Sequence, residues 1–413
     1  MTNKSKNSIA EASPACKQIR DFNQGRIPEL LRLKYKAMRA NSFGFFRGSC
    51  HLFYADYAAV ASKIKDPTKA WICGDLHLEN FGTFKGDNRA VYFDMNDFDE
   101  AILAPCTWEI ARALTSIHLA ARTSGFSDAK AELLCASFVD TYAQTLATGK
   151  AGSVEKSTVR GLVKKFLIAL QSRKRETFIQ SRTVVKKGKI RLNIDHRHAL
   201  PISHTNREKL IHFMDVWRGS RNDRKFFKVL DVAVRIAGTG SLGVERYVIL
   251  VWGNGPGEHY LLDLKTASPS CITPHITIKQ PFWSSQAERI TEVQKRVEAV
   301  PPALLSDVQF NGHSFILKEL QPSSDKMRLG VYEGKWKKLN EVICTMARIT
   351  AWGHLRSGGR QGSSIADEFM AFGKQVAWKK QLLSFAATYK NKVENDYEAF
   401  CKAYDDGYYN PKK

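Results

Sequence analysis

The sequence predicts an α+β protein with two lobes, and three observations support this fold class. The chain has 413 residues, of which 43% are hydrophobic, so it is long enough to bury a large core and to divide into lobes. Helix-like apolar spacing dominates the chain up to about residue 182 and again after about 335. Between 228 and 265, short apolar runs punctuated by glycine predict strands instead.

The helices are predicted from apolar residues that recur three and four positions apart. Pro28 suits the start of a helix, and Ile110, Leu114 and Ile117 fall on one face of another. The predicted helices cover 27–40, 51–64, 108–121, 128–148, 156–182 and 285–299. The chain after 335 is predicted to be helical to its aromatic and charged end.

The strands are predicted from short apolar, β-branched runs beside glycine or aspartate. A basic run with Gly188 at its centre predicts a hairpin. The predicted strands cover 70–73, 90–94, 183–185, 189–194, 229–236, 244–252, 259–265 and 314–320. They include two strands that flank an acidic loop early in the chain.

The composition predicts a globular protein with a strongly basic segment. The formal net charge is +22, and residues 151–230 hold 20 Lys and Arg against 6 Asp and Glu, an excess of 14. Such a surface attracts phosphates, nucleic acid or an anionic membrane surface, although a solvated basic face with no dedicated partner explains it equally well.

The sequence points to a cytoplasmic protein with free thiols. Its eight cysteines are scattered without a CxxC pair, no apolar run is as long as a transmembrane segment, and the first 15 residues lack the apolar region of a secretory signal. The eleven histidines show no metal-ligand spacing, so we expect no structural zinc.

One acidic motif predicts phosphoryl transfer. Asp75 and Asn80 are five residues apart in Cys73-Gly-Asp-Leu-His-Leu-Glu-Asn-Phe81, which is the spacing of kinase catalytic loops. Phosphoryl transfer needs a carboxylate to orient the attacking hydroxyl and ligands to hold Mg²⁺ on the phosphates. Asp97 suits the role of the second metal ligand, and Asp94 and Asp99 are the alternatives for that role. We expect His77 to organise the catalytic loop.

A second motif, far downstream, predicts a nucleotide site. Residues 238–243 match the glycine pattern GxGxxG of the kinase glycine-rich loop, Val244 follows directly, and the next segment is strand-like, as in kinases. Lys265 ends an apolar strand and would hold the phosphates, with Glu292 on the next helix as its partner. Three alternatives remain. The glycine segment is an ordinary hairpin turn, Lys265 is a solvated lysine at a strand end, or Glu288 or Glu298 takes the place of Glu292. The loop residues expected at the nucleotide are Gly238, Thr239, Gly240, Ser241 and Gly243.

The two motifs occur in the reverse of the kinase order, which predicts a circular permutation. Kinase chains begin with the glycine loop and lysine, whereas here the catalytic loop comes first. The expected segments are a flexible tail (1–20), a catalytic helical lobe (21–222), a β-rich nucleotide lobe (223–325) and a helical block (326–413) that packs on the catalytic lobe. This arrangement predicts that Lys265 and Asp97 face each other across one cleft.

The motif Gly74-Asp-Leu-His-Leu-Glu-Asn80 resembles the catalytic motif of the aminoglycoside and choline kinases. That resemblance implies that Asp75 is the base, that Asn80 and Asp97 bind metal, and that Glu109 is a structural acid behind the loop. Glu109 replaces a commoner Asp, and Cys73 replaces a common His.

The whole chain more closely resembles the bacterial family named domain of unknown function 2252. The stretches that carry this resemblance are 41–48, 73–84, 96–100, 238–243 and 353–358. Three residues of these stretches have open roles. Arg47 either contacts phosphate or substrate or makes a structural ion pair, and His354 and Arg356 either line the cleft or cap a helix.

These observations together predict an ATP- and Mg²⁺-dependent phosphotransferase. Only about ten residues separate Asp97 from the helix at Trp108, which leaves no room for the activation segment of protein kinases. We therefore expect a small-molecule acceptor, and the basic segment suggests an anionic one. Two alternatives remain: a nucleotide-binding protein with other chemistry, such as nucleotidyl transfer, or with none, and a nucleic-acid-associated protein.

Overall fold

A computed structural model describes residues 12–219, 226–253, 255, 258–320 and 334–410. Helices and strands both contribute, so the predicted α+β class is confirmed. The helices are α1 (Pro14–Phe22), α2 (Pro28–Arg39), α3 (Ser42–Gly48), α4 (Cys50–Ala61), α5 (Cys106–Thr123), α6 (Asp128–Ala147), α7 (Gly161–Ser172), α8 (Arg175–Gln180), α9 (His204–Gly219), α10 (Gln286–Val297), α11 (Trp336–Ser357), α12 (Ala366–Lys374) and α13 (Ala377–Asp405).

The strands form one large antiparallel sheet and three two-stranded pairs. The large sheet has the order β11-β12-β10-β9-β8-β7, and the pairs are β1–β4, β2–β3 and β5–β6. The strands are β1 (Ala70–Ile72), β2 (Phe81–Lys85), β3 (Val91–Met95), β4 (Ile102–Ala104), β5 (Thr183–Lys186), β6 (Lys189–Leu192), β7 (Ala199–Leu200), β8 (Val229–Arg235), β9 (Arg246–Trp252), β10 (His259–Thr266), β11 (Ser306–Phe310) and β12 (His313–Glu319).

The helices outside the sheet form a large lobe around α5. The side chains of α5 are buried from Cys106 to Ala121, because α6, α13 and the β1–β4 pair surround this helix. The first turns of α5 stand behind β1, which leads into the acidic loop. Among the described helices, none combines the length and the apolar composition needed to cross a membrane.

The sheet is covered on both faces by the basic segment, which corrects the expected lobe boundary at residue 222. β7 pairs with β8, and Leu210 and Met214 of α9 pack on one face of the sheet. Ile179 and Leu192, from α8 and β6, pack on the opposite face with Leu250 and Leu261. The high charge of this segment predicts a solvated surface and does not indicate which of its apolar residues pack on the sheet. Part of the segment therefore belongs to the sheet lobe.

Two further expectations are corrected in the chain's helices. Part of the tail expected at 1–20 is helix α1, whose first turn is capped by the Ser13 side chain, and Cys16 and Ile19 are buried; residues 1–11 lie outside the described part. The single helix expected at 156–182 is two helices, because Arg173 and Lys174 adopt extended backbone angles between α7 and α8. Local propensity does not reveal this break.

Candidate active site

The acidic loop follows β1 and is held from behind by Glu109. Cys73 N and Gly74 N donate to Glu109 Oε2 at 2.9 and 3.5 Å. Gly74 has a φ of +85°, and a Cβ there would collide with the backbone of Glu100. The glycine is therefore required by its left-handed conformation and by the close approach of the two loops.

Glu109 is part of a buried network that ends at Tyr142. His354 Nε2 lies 2.5 Å from Glu109 Oε1, and His354 Nδ1 lies 2.8 Å from the Tyr142 hydroxyl. Burial disfavours a charged imidazole, but Cys106 and Glu109 beside the ring raise the pKa of His354 to about 10. The ring is thus positively charged at neutral pH and forms an ion pair with Glu109. His354 supports the acidic loop and does not line the cleft.

Arg356, the other residue expected at the cleft or at a helix cap, joins backbone segments. Its guanidinium donates to the carbonyl oxygens of Val297 and Gly152, the latter at 2.6 Å. Burial lowers the pKa of Arg356, an effect that the nearby Asp94 carboxylate opposes. Its role is therefore to connect α11 with the end of α10.

Asp75, the candidate base, is anchored by a buried arginine that lies outside the motifs that predict the site. Arg112 on α5 is 0% exposed, and its Nε donates to Asp75 Oδ1 at 2.6 Å. The Arg112 guanidinium also lies 4.1 Å from the ring centre of Phe46. Asp75 lines a cavity of about 90 Å³, and its side chain is 18% exposed. The carboxylate is therefore oriented by Arg112 and partly accessible.

His77 and Arg47 form the edge of the same cavity. His77 Nε2 lies 3.8 Å from Asp75 Oδ2 and accepts from Arg47 Nε at 3.3 Å. Arg47 also pairs with Glu79 at 2.5 Å. Arg47 thus makes the structural ion pair that was one of its two expected roles, while its side chain also lines the cleft.

Asn80 braces the acidic loop against the loop that carries Asp97. Its Nδ2 donates to the carbonyl oxygens of Asp75 and Asp97 at 3.0 and 3.1 Å. Its Oδ1 accepts from Asn96 N and Asp97 N at 3.2 and 2.8 Å. Both lone pairs of Oδ1 are therefore used, so Asn80 braces the two acidic loops, and its role as a metal ligand stays a prediction.

Lys265 and Asp97 meet, as the permuted arrangement predicts. Lys265 Nζ lies 3.8 Å from Asp97 Oδ1 and hydrogen-bonds Asp99 Oδ2. Burial and the neighbouring Asp97 carboxylate raise the pKa of Asp99. Two carboxylates thus share one ammonium group, and the excess negative charge suits a cation.

Of the three candidate aspartates, Asp94 is a structural residue. It is buried, and its two oxygens accept from Met95 N at 2.9 Å and from Ala299 N at 3.1 Å. Among the described residues, no group of three or more His, Cys, Asp or Glu could hold a metal ion. Asp97 and Asp99 remain, and Mg²⁺ on a phosphate ligand needs only one or two carboxylates.

Glu292 is not the partner of Lys265, which corrects the sequence expectation. It pairs with Lys295 Nζ at 2.9 Å and lies 3.8 Å from Arg296. The cleft side of α10 carries Ile290 and Gln294. Residues two positions apart in a helix are separated by about 200° around its axis. Glu292 is two positions from both Ile290 and Gln294, so its side chain points away from the cleft.

The glycine loop joins β8 to β9 and lies over the cleft. Gly238 and Gly243 have φ values of +74° and +100°, which other residues rarely adopt. Thr239 and Ser241 line the 90 Å³ cavity beside Gly240. The loop therefore covers the space between Lys265 and Asp75.

Two basic residues of the large lobe hold this loop in place, and both lie outside the motifs that predict the site. Arg26 Nη1 donates to the carbonyl oxygens of Gly240 and Leu242, each at 2.9 Å, and Lys34 Nζ donates to Gly240 O at 2.7 Å. The sequence carries one signal for Lys34. It lies four residues from both Leu30 and Met38, on the buried face of α2.

A larger cavity of about 370 Å³ extends from Lys265 between the sheet, α10 and the segment that follows α8. Its sheet side carries Arg235 and Arg246, which both pair with the buried Asp263. The volume falls within the range of small-molecule and cofactor sites. Lys265, Asp97 and Asp99 lie where this cavity meets the smaller one.

The fold and site define an α+β protein with an acidic, lysine-bearing cleft between a helical lobe and an antiparallel sheet. A family model described as "Uncharacterized protein conserved in bacteria (DUF2252)" matches residues 26–403. The chain therefore belongs to this family, and the family expected from its motifs is confirmed. Comparisons with curated proteins and with solved structures gave no match.

Proposed function

We propose that this protein is an ATP- and Mg²⁺-dependent phosphotransferase that acts on a hydroxyl group of a small acceptor. The observation that carries the proposal is the contact of Lys265 with Asp97 and Asp99, beside Asp75 and under the glycine loop. These residues are far apart in the chain, and together they are the parts that phosphoryl transfer requires.

The order of elements in the sheet lobe supports a kinase-like fold with a permuted chain. Three consecutive strands, β8, β9 and β10, carry the glycine loop in the first connection and Lys265 in the third strand, and α10 follows. Kinases use the same succession of glycine loop, third-strand lysine and helix. The acidic loops come earlier in this chain, as a permutation requires.

The proposed chemistry assigns one role to each part of the cleft. Asp75, oriented by Arg112, accepts the proton of the acceptor hydroxyl, and Lys265 holds the phosphates of the nucleotide. Asp97 and Asp99 would hold Mg²⁺, which neutralises charge on the transferred phosphoryl group. Asn80 keeps the two acidic loops at a fixed distance.

The experiment that tests this proposal follows two labels of ATP. Purified protein is incubated with Mg²⁺, a bacterial extract of small metabolites, and ATP labelled at the α- or γ-phosphate. The proposal predicts that the γ label passes to a metabolite and that ADP is released. We expect Asp75→Asn to lower this rate by about 10²–10⁴-fold, the usual contribution of a general base.

The controls separate this reaction from its alternatives. Asp140→Asn changes an exposed carboxylate that pairs with Lys379 at the surface, and should leave the rate unchanged. Transfer of the α label with release of pyrophosphate would identify nucleotidyl transfer instead. Absence of transfer from either position, in a folded protein, would contradict the proposed activity.

A further inference from the structure

The smaller cavity contains a buried lysine that has no carboxylate partner among the described residues. Lys34 is 1% exposed and lines the 90 Å³ cavity between Asp75 and the glycine loop. Its Nζ donates to Gly240 O. Within the described part of the chain, no carboxylate pairs with it and no other acceptor takes its remaining hydrogens. Burial, together with the nearby Arg26, lowers the pKa of Lys34 well below its ordinary value.

Arg26 is in the same situation on the other side of the loop. Its guanidinium donates only to carbonyl oxygens of the glycine loop, and the described residues offer it no carboxylate partner. Burial lowers its pKa, although the Glu100 carboxylate opposes this effect. Two basic side chains thus meet at one loop, and no described carboxylate lies within ion-pair distance of either, which is an expensive arrangement inside a protein.

The acidic groups of this cavity are engaged elsewhere. Asp75 pairs with Arg112, and Glu100 Oε2 accepts from Cys271 N at 2.6 Å. Burial raises the pKa of Glu100. The remaining cations of the cavity, Arg47 and Lys265, already have carboxylate partners. No described carboxylate forms an ion pair with Lys34 or Arg26, so both side chains can pair with an anionic ligand, and the charge of that ligand would favour the protonated form of Lys34.

We propose that Lys34 and Arg26 form a binding subsite for an oxyanion in this cavity. The inference rests on the proposed function, because the cavity lies between the candidate base and the glycine loop. The oxyanion has two sources with the same chemistry: the terminal phosphate of the nucleotide, or an anionic group of the acceptor. Either source assigns anion recognition to α2 and to Arg26, two residues before the helix begins, rather than to the basic segment 151–230.

Calorimetric titrations of wild type, Lys34→Met and Lys36→Met test the subsite. Lys36 is exposed on the same helix, so its variant is the matched control. The ligands are inorganic phosphate, Mg·ADP and a Mg-bound non-hydrolysable ATP analogue, at constant ionic strength. Charge-assisted hydrogen bonds correspond to about tenfold to a hundredfold in affinity, so effects of this size are expected.

The two sources give different results. If the subsite takes the terminal phosphate, wild type prefers the ATP analogue over ADP, and Lys34→Met removes this preference. If it takes an acceptor group, inorganic phosphate binds in the presence of Mg·ADP, and Lys34→Met removes that binding. The inference is overturned if Lys34→Met changes neither quantity, if Lys36→Met has the same effect, or if wild type shows neither phosphate binding nor a preference.

Two measurements separate the subsite from other effects. Because Lys34 also donates to Gly240 O of the glycine loop, each variant is compared by its preference for the ATP analogue over Mg·ADP, and Arg26→Gln should repeat the loss of anion binding. Methionine replaces a buried ammonium group by an apolar chain of similar length, so the unfolding midpoint should not fall. Wild type that binds phosphate but no nucleotide would contradict the proposed function and leave the subsite supported.

Discussion

Replacing Glu109 by Gln tests the network that supports the acidic loop. Glu109 is 1% exposed, and its two oxygens serve Cys73 N on one side and His354 on the other. An amide keeps the shape, but its NH₂ group must face one of these two donors. One buried donor then has no acceptor, and the charged imidazole has no counterion.

The expected loss of stability follows from that geometry. Removing one member of a buried ion pair typically costs about 3–5 kcal/mol, so Glu109→Gln should lower the free energy of unfolding by about 3 kcal/mol or more. Urea unfolding followed by tryptophan fluorescence measures this change. A loss below about 1 kcal/mol, at an unchanged dependence on urea, would refute the assignment of Glu109 to a buried charged pair.

The same network predicts a dependence on pH. The pKa of His354 is raised to about 10 in the folded protein, and it is about 6.5 in the unfolded chain. Its contribution to the free energy of unfolding is therefore fully present below a pH of about 6.5 and is lost as the pH rises through 10. His354→Gln should therefore flatten the decline of wild-type stability across this range. Equal slopes for wild type and variant would contradict a charged His354.

Three other outcomes follow from the site. Gly74→Ala should lower the free energy of unfolding, measured in thermal melts, by more than about 2 kcal/mol, because the added Cβ meets the backbone of Glu100. Gly125 has a similar φ but open space around it, so Gly125→Ala should lower the same free energy by only about 1 kcal/mol. Arg112→Met should lower the free energy of urea unfolding by about 3–5 kcal/mol, and adding Asp75→Asn should recover part of it; no recovery would refute the pairing. Glu292→Ala should leave calorimetric nucleotide affinity unchanged, and a tenfold loss would restore it as a site residue.

The sequence was sufficient for the parts of the site that lie within short motifs. The acidic loop, the glycine loop and Lys265 each follow from local spacing. The contact between Lys265 and Asp97 was predictable because the kinase-like interpretation of the two motifs places both groups in one cleft. The α+β class followed from apolar periodicity, which reports burial directly.

The missed features depend on contacts between distant segments. Glu292 was chosen by residue type, but the rotation of α10 decides which side chains face the cleft. Arg112 and Arg26 act through partners far along the chain, and no local pattern indicates them. The special role of Lys34 was detectable from the sequence, since a lysine is rarely buried on the apolar face of a helix unless it has a polar partner.

The most direct test of the central claim is calorimetric binding of Mg·ATP to wild type, Asp97→Ala and Lys265→Ala. Lys295→Ala, which changes a lysine that pairs with Glu292 on α10, is the control. The account predicts saturable, Mg²⁺-dependent binding that both site variants weaken by about tenfold or more, while the control binds like wild type. The claim that two distant parts of the chain build one nucleotide site would be contradicted if wild type does not bind, or if both site variants bind as tightly as wild type.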